Sequence, residues 1–192
     1  MATAGQVIRR DCRPISKLGV MSSRQSDEAM ERSLALVAEV ANQTDRGVAI
    51  VGIAWVEEAL MAAIYSFLEK DKSSWERLFR KSGPLSSLSA KIDIARLLGI
   101  MSSEIAADLH RLRDIRNEFA HSVLNKDNTP LSFSTMRIKD KCLALRCVKR
   151  EKIRDPRKAF IRACAVLNAD FTMVEFLGQQ VSGSGRVVVS DG

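Results

Sequence analysis

Along this chain the apolar positions recur every three or four residues, and no stretch alternates as a strand face would. The pattern predicts an all-α fold, a single-domain helical bundle of about six or seven helices. Residues 1–21 carry Pro14 and Gly19 without periodicity and read as a flexible N-terminal arm. "SSRQ" at 22–25 has capping-box form, with Ser22 as N-cap and Gln25 three residues on. The helix it opens is expected to run to about Asn42, with Met30, Leu34, Val37 and Ala41 facing inward. Thr44 or Asp45 caps the next helix, which is apolar almost all round from Val48 to Leu68. A helix without a polar face needs neighbours on every side, so residues 45–69 are expected at the centre. Glu57 and Glu58 are conspicuous there, because a buried carboxylate needs a partner.

A short helix is expected around Trp75–Arg80. Gly83 closes it, and Pro84 is placed in the first turn of the following helix, whose φ it presets. That helix carries the stripe Leu85, Leu88, Ile92, Ala95 and Leu98, and Gly99 suits the position just past its end. Ser102 caps a helix from about Ser103 to about Ala120. Asn125, Asp127, Asn128 and Pro130 mark a loop, after which Ser134 or Thr135 starts a helix through Leu145. Asp155 followed by Pro156 reads as an N-cap with proline at the first helical position. The last helix then runs to about Gln180 along Phe160, Cys164, Leu167, Phe171 and Val174. The helical domain spans 22–180, and the polar, glycine-rich residues 181–192 form a flexible tail.

The helix after Ser102 holds the chain's only two histidines, in "DLHRLRDIRNEFAHS". At 100° per residue, Ile105, Leu109, Leu112, Phe119 and Val123 share one face, and position 116 is the gap in that stripe. An unpaired charge buried there would cost several kcal/mol. Arg116 is therefore expected to form a structural ion pair with Glu57 or Glu58, or to hold a phosphate. His110, Asp114, Asn117 and His121 lie on the opposite face. Asp114 could orient the His121 imidazole; alternatively, His121 and Asn117 bond the last carbonyls and end the helix. Arg116 and His121 stand about 140° apart around a straight helix. They can share one phosphate only if the helix frays after Ala120 or a second copy supplies one of them.

Charge sharpens the picture. Between Arg137 and Lys158 ten basic residues stand against three acidic ones, which is the whole excess of +7. The block is either a phosphate-facing patch, with Lys149, Arg150, Lys152 and Arg154 as candidate nucleic-acid contacts, or a solvated connector. Aromatic content of 5% argues against a base-stacking platform. The longest apolar stretch, "GVAIVGIAWV", stops at Glu57 and is too short to span a membrane, so no membrane partner is expected. No charged-then-apolar leader opens the chain. Cys12, Cys142, Cys147 and Cys164 form no C-x-x-C pair and are expected as free thiols in a reducing cytoplasm, with no metal or cofactor.

"GPLSSLSAKIDIARLLGI" and "DLHRLRDIRNEFAHS", continued by "LSFSTMRIKDKCLAL" and "DPRKAFIRACAVL", resemble the mannitol operon repressor (MtlR/MltR) family of bacterial regulators. The resemblance runs from residue 30 or so to residue 175. It implies an all-helical transcriptional regulator acting through a protein partner or a homodimer rather than a helix-turn-helix reading head. A shorter match, R-N-x-x-x-H at Arg116, Asn117 and His121, is similar to HEPN domains. That resemblance implies a metal-independent endoribonuclease in which these three residues are catalytic, usually across a dimer. The regulator is the reading adopted; the ribonuclease is the alternative, and nucleic-acid binding through residues 137–158 without chemistry is a third.

Overall fold

The computed structural model describes residues 31, 35, 37–68, 71–80, 82–122, 124–125 and 128–183. The expected arm, the capping box at Ser22, Met30, Leu34 and the tail beyond Gly183 lie outside them. Residues 37–41 belong to α1, and Val37 and Ala41 pack against the core as predicted, with Val40 buried deeper. α2 spans Asp45–Phe67, and of its two candidate caps it is Thr44 whose side chain accepts the Gly47 N–H. Such a cap contributes about 1 kcal/mol. α2 packs on α4, α5 and α7 and is the central helix. By length and composition it could cross a membrane, yet half of that apolar window is buried under its neighbours.

α3 (Lys72–Phe79) follows with Asp71 as its cap. α4 spans Leu88–Leu97, so Pro84 is not in its first turn as expected. The Ser87 side chain accepts the Ala90 N–H and starts the helix later, while Pro84 and Leu85 form a turn held by the Leu85 N–H on the Leu78 carbonyl. The C-terminal prediction holds. Gly99 has φ +73°, its N–H bonds the Arg96 carbonyl, and Ile100 N–H reaches back to Ala95. α5 (Ser103–His121) is capped by Ser102. α6 (Met136–Leu143) starts after Thr135 and stops two residues short of the expected Leu145. A 3₁₀ turn, Lys149–Glu151, leads to α7, Pro156–Gly183. The Asp155 carboxylate accepts the Lys158 N–H, the predicted cap ahead of an N1 proline. Among the described residues there is no strand, only an isolated bridge between Leu124 and Pro130.

α2 and α7 run parallel. Arg157 bonds Asp45, Phe160 and Cys164 lie against Gly52, Asn168 donates to the Trp55 carbonyl, and Gly178 meets Ser66. A Cβ at Gly178 would sit 2.2 Å from the Ser66 Oγ, so this close approach requires glycine. Phe119, Phe133 and Phe160 form an aromatic ladder with centroids 5.1 Å apart at each step, tying α5 to α7 through the 131–135 loop. Each such pair is worth about 0.5–1.5 kcal/mol beyond its burial.

Candidate functional site

The motif helix is continuous. α5 runs through His121 and its Ser122 cap donates its N–H to the Glu118 carbonyl, so the helix does not fray after Ala120. Arg116 and His121 remain about 140° apart around one continuous helix, so within one chain they do not converge. His121 is exposed, and Asn117 and Arg116 are half-buried.

The expected ion pair of Arg116 with Glu57 or Glu58 is replaced by another. Lys91, only 5% exposed on α4, places its Nζ 2.5 Å from the Glu57 carboxylate. Glu58 points to solvent, and Arg116 has no hydrogen bond or ion pair among the described residues. The reason is a matter of register. Ile115, fully buried, sits three residues after Leu112 and four before Phe119 and fills the supposed gap. Position 116 lies one step off the core stripe, where a guanidinium reaches water.

A clasp does exist at this helix, made by other residues. Glu118 accepts hydrogen bonds from both Arg137 and Lys141 of α6. Burial alone would push its carboxyl up, but the Lys141 and Arg137 hydrogen bonds and charges outweigh that and hold it below its ordinary value. Arg46 of α2 donates to the Ser122 carbonyl at 2.6 Å, satisfying the end of α5. Arg113 pairs with its neighbour Asp114, which is thereby engaged away from His121.

The deepest polar group of the region is Asp108, fully buried on α5. One carboxylate oxygen accepts the backbone N–H groups of Arg146 and Cys147 at 2.7 and 2.8 Å, and the other accepts Arg111 Nη1 at 2.8 Å. Asp108 thus anchors the start of the basic turn. Sequence reasoning misses both Asp108 and Lys91. The signal was available for each: a charged residue within one turn of Leu109 and Leu112, and another beside Leu88 and Ile92. Burial first, then the nearby Asp108 charge, pushes the Cys147 thiol up to about 12. Cys142, Cys147 and Cys164 are free, as expected.

The basic block divides into working parts and free parts. Arg137 and Lys141 hold Glu118, Arg146 pairs with Glu104 at 3.0 Å, and Arg157 holds Asp45 and the Ala41 and Gln43 carbonyls. Lys149, Arg150, Lys152 and Arg154 are exposed and have no acidic partner among the described residues. Lys152 has φ +52° and turns the chain toward α7.

The motif helix is thus tied down by the carboxylates of Asp108 and Glu118, and the densest run of unpaired cations among the described residues lies at 149–154. Residues 41–163 match the family described as mannitol repressor, MtlR, and the chain belongs to that family. It is a regulator of the mannitol-repressor type. Among solved structures, a chain of the MtlR-HPr complex from Escherichia coli has the same fold. It aligns at a TM-score of 0.60 and 18% identity over 73% of this chain and 98% of that one. No curated protein matches.

Proposed function

We propose that this chain is a cytoplasmic regulator that works by gripping a protein partner, and that HPr is the partner to test first. The supporting observation is the shared fold along almost the whole length of a chain solved in the MtlR-HPr complex. The geometry of the motif agrees: Arg116 and His121 diverge around a continuous helix, which suits a scaffold better than a catalytic pair. Large apolar side chains stand in solvent, among them Leu97 and Met136, 83% and 74% exposed, and a partner surface has use for such anchors. Calorimetric titration of the full chain with purified HPr tests the reading. Saturable one-to-one binding is the expected result. Absence of heat and of co-elution at high micromolar concentration of both proteins would refute HPr as the partner.

A further inference from the structure

The free cations of the basic turn are the largest feature that partner binding through an apolar surface leaves unused. Lys149, Arg150, Lys152 and Arg154 fall within six residues of chain, all exposed. Arg146, Lys149 and Arg150, with Glu104, line one depression of about 500 Å³ beside the start of α5. Three of the acids nearby are already committed, while Asp170 of α7, close to Cys147, has no ionic partner among the described residues. Glu104 pairs with Arg146, Glu151 turns to Arg162 of α7 at 2.9 Å, and Asp155 caps α7. The turn is also held firmly, since Asp108 binds the backbone of Arg146 and Cys147. A cationic surface whose four free charges outnumber the one uncommitted carboxylate nearby, and whose backbone is pinned, is arranged to meet an outside anion.

We propose that the 146–154 turn contacts the phosphate backbone of double-stranded nucleic acid, without reading sequence. Two observations favour a duplex over other polyanions. An acidic protein would want an apolar or aromatic centre to the patch, and lysine is depleted in such interfaces. Here the apolar residues of the turn point inward, Val148 buried and Ile153 half-buried. A single strand would want aromatic rings to stack on, and residues 137–159 contain none. What remains is charge alone, the footprint of backbone contact. The proposal does not depend on HPr, because nucleic acid alone is the probe.

The test is fluorescence anisotropy of the full chain on a short DNA duplex of arbitrary sequence, repeated across salt concentrations. Four phosphate contacts predict a log–log salt slope of about −3.6, or a loss of roughly 100-fold in affinity between 50 and 200 mM salt. A variant carrying Lys149→Gln, Arg150→Gln and Lys152→Asn should flatten the slope to about −1, a loss of only about fourfold over the same range. Asparagine is chosen at 152 because it tolerates the positive φ. Lys72→Gln on α3 should leave the slope unchanged. If the triple variant does not melt cooperatively, Arg154→Gln alone should lower the slope by about 0.9. No binding at low salt, a slope indifferent to these substitutions, or preference for single strands each overturns the proposal. So does loss of HPr binding by the triple variant when the wild-type chain binds no duplex, which would assign the cations to the protein partner.

Discussion

Replacing Asp108 by alanine should be among the most damaging changes this fold can suffer away from its aromatic core. The carboxylate is fully buried and serves three donors: the Arg146 and Cys147 N–H groups on one oxygen, and Arg111 on the other. Alanine orphans both backbone donors, at about 1–3 kcal/mol each. Arg111 is one-third exposed and can swing into water, so its loss adds little. The sum is about 2–6 kcal/mol, which at this chain length, at about 2–4 °C per kcal/mol, lowers the melting temperature by roughly 4–24 °C. Asp108→Asn is the informative comparison. Its single carbonyl oxygen can still accept both backbone N–H groups, because both already converge on one oxygen, and only the Arg111 bond is lost. It should cost about 1–2 kcal/mol, because the asparagine NH2 then lies buried without an acceptor. Urea unfolding followed by circular dichroism reads both. If Asp108→Ala melts within a degree or two of the parent, the backbone donors have other partners and the reasoning fails. If Asn is as harmful as Ala, negative charge rather than acceptor geometry is what the site needs.

Glu118 gives a pH prediction. Its folded-state value is held below the ordinary 4.5, so its contribution to stability is present above that pH and is lost as pH falls through the lowered value. Glu118→Gln should therefore reduce the acid sensitivity of unfolding below pH 4.5, checked by thermal melts across acidic buffers; an unchanged profile refutes it. Arg116→Ala should cost less than about 1 kcal/mol, because the side chain is half-buried and has no ionic partner among the described residues. Lys91→Ala should cost roughly 2–3 kcal/mol, since it leaves Glu57 unpaired and removes a buried aliphatic stem. Parallel melts that reverse this order would restore Arg116 as the ion-pair partner.

What the sequence shows clearly is what neighbouring residues decide among themselves. The caps at Thr44, Ser102 and Asp155 and the reversal at Gly99 depend on contacts within about one helical turn, and the central place of α2 shows in its own all-round apolar composition. The side-chain partners of the candidate site are of another kind. Lys91 meets Glu57 across 34 residues, Asp108 meets Arg146 across 38, and Arg46 meets Ser122 across 76. Periodicity says that a charged residue is inside; it does not say which of several opposite charges the fold will bring to it. The displaced Arg116 pair shows a finer limit. A seven-residue gap between Leu112 and Phe119 can be divided as three and four or as four and three, and only the apolar Ile115 reveals which. The Pro84 placement fails similarly, because a proline compatible with a first turn is equally at home in the turn before it.

The parallel pairing of α2 with α7 has a consequence for how the chain is made. Asp45 and Arg157, which join the two helices at their starts, are 112 residues apart. On a ribosome adding about 5–20 residues per second, α2 emerges roughly 6–20 s before the helix that covers it. Throughout that interval its apolar surface, the property that suits it to the centre of the finished bundle, has only the intervening segments for shelter. The newborn chain should therefore be an avid client of chaperones that recognise apolar helices. Production of soluble protein should respond more to slower synthesis and lower temperature than to any substitution on the surface of the folded molecule.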